Sequence, residues 1–548
     1  MKGELNLFKS RNILFAWVLL LVIFLFIQAK AIPVLEDEVV PVRDERIYLQ
    51  HADSLVFDQF LHPDAQRLSG NVVFHHKGMT LYCDSAVLYE KAQSFEAFGK
   101  VRMVQGDTLS LTGKYLYYDG NAQIAQVRYQ VEMRHRNQVL LTDSLNYDRI
   151  YGLGYFFEGG KLIDGENTLT SDWGEYYTAT RKSTFNYSVK LTNPQFTLTS
   201  DTLHYDNVTK WSQVLGPSNI VNGRNRIYTT LGYYNSETER AKLYNRSIIF
   251  NEGTKMTGDS IFYDKLTGVM KAFSSIVYED TRNKKILQGD FCQYNELSGT
   301  ALAYDRALAK DYSNSDDTLF VHADTLRMYS YNMETDSVYR VMHGYFHVRA
   351  YRTDVQAVCD SLVANSKTRR MTMYRDPVLW SGNRQILGEE INVFANDSTI
   401  DSVYVERQAL MVEQVDTLHF NQVAGQVMKS YFRQGEIYEN RVDGNVYVVQ
   451  YPMEKDSVLL YQNYTETSQL RMFMENRKLK KLWSPSAIGA FYPIGMAPPE
   501  RTKLENFAWF DYMRPKDKYD IFEWRGKAKG TELKATIRRD APLQRLKK

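Results

Sequence analysis

The sequence predicts an all-β fold, an elongated and repetitive solenoid-like stack with a period of about 29 residues and no sizeable helix after its N-terminal segment. Three observations predict it. A short motif recurs, clearest at Asp143-Ser144-Leu145-Asn146-Tyr147-Asp148, Asp201-Thr202-Leu203-His204-Tyr205-Asp206 and Asp259-Ser260-Ile261-Phe262-Tyr263-Asp264, with looser copies at residues 84–89 and 114–119. Tyrosines fall at 89, 118, 147, 176, 205, 234 and 263, each 29 positions after the last. Tyrosine is abundant (39 of 548 residues) and proline scarce (13), a balance that suits continuous backbone ladders, which proline would interrupt.

The elements follow in order. At the N-terminus Lys2, Lys9 and Arg11 precede an unbroken apolar run from Ile13 to Ile27, and Ala29-Lys30-Ala31 offers a small-x-small cleavage site. Residues 1–31 therefore read as an export signal. A retained membrane anchor is the competing reading, although a 15-residue run is short for a bilayer span. Either way the rest of the chain is placed outside the cytoplasm.

Residues 48–300 form the regular array. In Asp143-Ser144-Leu145-Asn146-Tyr147 the apolar Leu145 and Tyr147 share one face and Ser144 and Asn146 the other, the period-two pattern of a half-buried strand. Polar or glycine-bearing turns follow, as at Asp119-Gly120-Asn121 and Lys265-Leu266-Thr267-Gly268. A 29-residue unit thus holds at least two short strands and has no room for a typical helix; the leucine-rich repeat core is absent. Over residues 301–465 the repeat continues at wider spacing, with copies at Asp324-Thr325-Leu326, Asp360-Ser361-Leu362 and Gly444-Asn445-Val446. Residues 466–548 read as a basic, aromatic-containing tail: from 469 onward there are 19 Lys+Arg against 9 Asp+Glu, a net of +10, and Pro485, Pro493, Pro498, Pro499 and Pro515 interrupt the alternation.

Chemistry is sparse. The whole chain is nearly neutral at +2, which gives no case for nucleic acid. Cys83, Cys292 and Cys359 are too few and scattered for a disulfide framework or a zinc site, and read as small residues in strands. The repeated aspartates (Asp53, Asp107, Asp143, Asp201, Asp259, Asp324, Asp360) suggest a calcium ladder, but one carboxylate per unit falls short of the six to eight oxygens calcium takes. A local bond from the aspartate to the backbone is the favoured reading. His75-His76 would point to opposite faces, which disfavours a shared metal. No nucleophile elbow, P-loop or C-x-x-C is present. No catalytic residue, metal site or cofactor is expected. The repeated Leu/Ile and Tyr positions form either a closed core or, if the two faces of the stack splay apart, a long apolar groove; periodicity alone leaves both open.

Export, strand composition and the recurring G-N-V…D-x-L-x-Y-D units resemble the OstA-like family of lipopolysaccharide transport proteins, which includes the periplasmic bridge protein LptA and the N-terminal domain of LptD. The residues that carry the resemblance are Leu68-Ser69-Gly70-Asn71-Val72, residues 81–89, Gly258-Asp259-Ser260-Ile261-Phe262-Tyr263-Asp264 and Gly289-Asp290-Phe291. The resemblance implies a twisted β-jellyroll whose open edge cradles the acyl chains of lipopolysaccharide or a related glycolipid. The lipid-groove positions would then be Leu116, Leu145, Tyr147, Leu203, Tyr205, Ile261 and Tyr263. It implies a non-enzymatic transport scaffold in the periplasm, or on the periplasmic face of the outer membrane, of a Gram-negative bacterium. The partners would be other bridge or translocon components, joined by edge-strand pairing. The alternative is a closed-core β-solenoid envelope protein acting in adhesion or on carbohydrate.

Overall fold

The computed structural model describes residues 46–534, apart from 61–62, 314–316, 334, 336, 397–398, 435, 453–457 and 477; the signal segment 1–31 lies outside the described residues. Among the described residues, thirty-eight strands with antiparallel pairing account for nearly all regular structure. The described helices are one four-residue turn, Pro499–Thr502, and two three-residue 3-10 turns, Asp511–Met513 and Asp520–Phe522. None is long and apolar enough to cross a membrane. The described residues divide into two compact units, 46–125 and 126–534.

In the first unit the strands Gln66–His76, Met79–Tyr89, Ser94–Gln105 and Leu109–Asp119 form a meander. Each pairing slips register once, at 69/72, 82/85 and 98/101, so each strand is bent by a bulge. Gly70 (φ +77°) and Gly99 (φ +80°) sit at these bends in the left-handed region that favours glycine. The bends divide the meander into two leaves that face each other. Phe74 on one leaf stacks on Phe95 of the other with ring centroids 4.3 Å apart, and His76 reaches across to the Tyr118 hydroxyl at 2.7 Å.

The second unit repeats this plan. Bulges bend the strands Lys182–Asn193, Trp211–Asn222, Val269–Asp280, Tyr339–Arg352, Ile400–Gln414 and Glu436–Gln450. Two consecutive non-glycine residues with positive φ mark several bends, including Tyr187/Ser188, Ser274/Ser275 and Arg407/Gln408. The repeated aspartates stand beside these bends, except Asp107, which lies in the hairpin turn after Gln105. Asp84 Oδ2 accepts the Lys100 amide at 3.2 Å in the first unit; in the second, Asp143 Oδ1 accepts that of Gln130 at 3.1 Å and Asp290 Oδ1 that of Ser275 at 3.3 Å. They satisfy amides that the bulge removes from the ladder, which is the local role expected of an aspartate at that place.

The boundary drawn at residue 465 falls inside the strand Tyr461–Glu475. Strands continue through Lys478–Trp483 and Ala487–Pro493, because the cross-strand pairing of 461–467 with 487–493 extends the sheet past the prolines that flank it. Residues 499–534 then fold back against the strands of the second unit.

Candidate functional site

The inward face of the second unit is built from two rows of cross-strand partners on one leaf. The first row passes from Leu145 through Phe156, Gly174, Phe185 and Leu203 to Val214, and reaches Ile261 by way of Gly232 and Leu243. Gly174 is required here because a Cβ would lie 2.6 Å from the Phe156 ring and 3.0 Å from that of Phe185. The second row lies two residues further along each strand. It alternates tyrosines with small residues, Tyr147–Gly154–Tyr176–Ser183–Tyr205–Ser212–Tyr234–Ala241–Tyr263, so that each ring occupies the space above a small neighbour. The 29-residue spacing is therefore the distance in sequence from one strand of this row to the second one beyond it.

The residues predicted to line a groove occupy these rows. Leu145, Leu203 and Ile261 are 0% exposed, Tyr147 and Tyr205 1%, and Tyr263 is half-buried. The structure brings Leu145, Leu203 and Ile261 onto one row and Tyr147, Tyr205 and Tyr263 onto the other. Leu116 lies in the first unit, fully buried on the inward face of Leu109–Asp119.

Opposite the bends, hairpin tips of the two leaves approach each other and form the mouth of the interior. In the early part of the second unit the tyrosine hydroxyls lace it shut. Tyr176 donates to Gln138 Oε1 at 2.6 Å and contacts His135 Nδ1 at 2.6 Å; Tyr205 donates to Asp164 Oδ2 at 2.9 Å and accepts from Asn167 Nδ2 at 3.0 Å. Lys210 also pairs with Asp164. Burial pushes the Tyr176 hydroxyl up to about 12, and burial together with Asp164 raises that of Tyr205 further, so both remain protonated donors.

Further along, the mouth changes. The tyrosine row continues through Tyr294 and then holds Met328, Ala364, Val393 and Ser430 at the alternating positions. None of these can span the mouth. Facing it on the other leaf is a line of cross-strand partners, Gln356–Trp380–Gln385–Val412–Gln422, with every glutamine nearly fully buried. The sequence reading did not single out these glutamines, and it marked the segment that meets them only as part of the basic, aromatic-containing tail; the residues in contact are 80 to 158 positions apart and follow no period.

Among the described residues no group of three or more His, Cys, Asp or Glu side chains is placed to hold a metal ion. Cys83, Cys292 and Cys359 are all buried and unpaired, and burial pushes the Cys83 and Cys292 thiols up to about 12, which removes the reactive thiolate at neutral pH.

Residues 44–201 match the family model described as OstA-like protein. Over this segment the chain is similar to the OstA-like family. The OstA-like match therefore takes in the meander of the first unit and the start of the tyrosine row in the second, through Tyr147 and Tyr176, and ends before Tyr205. Among solved structures, the chain is similar to LptH, whose crystal structure is titled as the LptA homologous periplasmic component of the conserved lipopolysaccharide transport device from Pseudomonas aeruginosa. The identity is 15% over 24% of this chain and 76% of LptH, and the TM-score is 0.13, a value at which no structural argument follows. The search of curated proteins finds no match.

Proposed function

We propose that this chain is a non-enzymatic carrier in the cell envelope that shields the acyl chains of lipopolysaccharide, or of a related glycolipid, during transfer toward the outer membrane. The observation that carries this reading is the OstA-like segment together with the interior it helps to build. Two facing leaves, joined along a line of bulges, enclose an apolar strip that continues from rung to rung, and opening the leaves at the mouth would give an acyl chain a long dry surface. Such a carrier works outside the cytoplasm, which agrees with the export signal expected at residues 1–31. Its partners would be similar modules that add to unpaired terminal strands.

One observation favours the second reading, a closed-core envelope protein. The inward leucines are fully buried and the tyrosine hydroxyls bridge the mouth, so around these rows a lipid enters only if those pairs part. Photo-crosslinking in living cells separates the two. With a photoreactive residue at Tyr147 or Tyr205, the carrier yields lipopolysaccharide adducts that are absent when it replaces the outward Asn146 or His204. Absence of adducts at every inward position would leave the closed core as the better account.

A further inference from the structure

Where the mouth tyrosines give out, another part of the chain fills their place. Residues 501–524 run as a strap along the mouth, held by the glutamines of the opposite leaf. Gln422 Nε2 donates to the Thr502 carbonyl and its Oε1 accepts the Leu504 amide, both at 2.9 Å. Gln385 repeats the arrangement six residues later in the strap, to the Ala508 carbonyl at 2.9 Å and the Phe510 amide at 2.7 Å. Gln462 holds the Arg501 carbonyl and Gln356 accepts from Arg514 Nε at 2.7 Å. Strap residues Leu504, Phe510 and Met513 drop into the interior against Val358, Trp380, Leu410, Val412, Ala424 and Val449. A cleft of about 220 Å³ remains at the strap's entry, between Phe420, Tyr451 and Thr502.

At its far end the strap covers a cation. Trp524 lies over Arg349, 5.6 Å from guanidinium to ring, and Phe522 packs on His322 with centroids 4.8 Å apart. Arg349 is 3% exposed; the Asp324 and Asp520 carboxylates favour its charge, yet among the described residues its Nε and Nη1 have no hydrogen-bond partner. A buried guanidinium with unused donors is costly, and an anionic oxygen is the group that satisfies it best.

We propose that the trough beneath the strap is an acyl-chain site, that Arg349 receives the anionic head of the lipid, and that the strap is its displaceable occupant. This rests on the carrier reading and moves the site of loading from the laced rows to the one stretch where the interior is filled by a separable segment. Lifting the strap breaks no strand pairing. The glutamine amides lie at the mouth, where water can replace the strap's backbone, and the apolar wall is left for an alkyl chain in place of three side-chain anchors. An uncharged chain would find the wall but not the cation, so the site selects anionic amphiphiles.

The test uses the folded full-length chain with a protease site placed next to the exposed Met496 and cut after purification. With Leu504→Asp and Phe510→Asp in the strap, cutting releases it while leaving the wall untouched. Binding is read with a fluorescent polyene fatty acid and with its methyl ester. Release raises affinity for the acid by about tenfold or more, Arg349→Gln removes most of that gain, and the ester is indifferent to Arg349. If the double variant does not fold, the cut wild-type chain serves: excess synthetic peptide 499–528 should suppress fatty-acid binding. Unchanged affinity after verified loss of the strap, or no competition by the peptide, overturns the proposal. Lipopolysaccharide crosslinks at Tyr147 or Tyr205 without any gain on release would leave the carrier standing and the strap site refuted; neither signal would end both.

Discussion

His322 shows how one side chain senses both the interior and the strap. It is 6% exposed, and its Nδ1 donates to the Ala307 carbonyl at 2.6 Å. Burial pushes the imidazole down to about 4, Arg349 and Arg306 push the same way, and Asp324 opposes them. The unfolded chain binds this proton more readily, with an ordinary value near 6.5, so the stability His322 contributes is complete above that pH and is lost as pH falls toward 4. Chemical denaturation between pH 7 and 4.5 should show a falling midpoint that is shallower in His322→Gln, which keeps a donor for Ala307 and does not titrate. An equal slope in both would remove His322 from the account. His135 and His343, also lowered by burial, act in the same direction and supply the slope that remains.

At the scale of the element, the bent strand is the unit that sequence reveals best. Leu145 and Tyr147 are legible as inward residues because alternation reports faces directly, and the 29-residue interval is legible because antiparallel pairing returns the same row every second strand. The aspartates are legible as backbone partners for the same reason. The bend itself is only partly so: Gly70 and Gly99 announce it, whereas Tyr187/Ser188 and Arg407/Gln408 adopt positive φ with residues that give no such signal. Gly99 offers the check. A Cβ there would sit 2.3 Å from Asp84 Oδ2, on a backbone at φ +80°. Gly99→Ala should cost about 1–2 kcal/mol in the unfolding free energy, with most of the loss recovered when Asp84→Ala is added if the collision dominates. A neutral Gly99→Ala would mean that the bulge relaxes freely.

Across the whole molecule, contacts are mainly between strands close in sequence, and the described residues fall into two compact units. Stability in such a chain is a sum of neighbour terms, so unfolding need not be one step. Hydrogen exchange is expected to resolve at least two protection classes, with 46–125 and 126–534 opening at different denaturant concentrations; a single cooperative transition for all amides would contradict this. The strap is where sequence reading stops. Phe510 meets Gln385 across 125 positions, and Arg514 meets Gln356 across 158. Neither pair leaves any periodic trace, and the same residues taken alone read only as a basic, proline-broken tail.

The strap also sets a timetable. A chain made from its N-terminus completes the rungs carrying Gln356, Gln385 and Gln422 before residues 501–524 exist, and Gln462 follows only about forty residues before the segment it holds. During synthesis those rungs can pair their strands while the trough is still uncovered. Closure of the trough therefore waits on residues 501–524, and newborn molecules pass through an interval in which this part of the interior is open to whatever apolar chain is near.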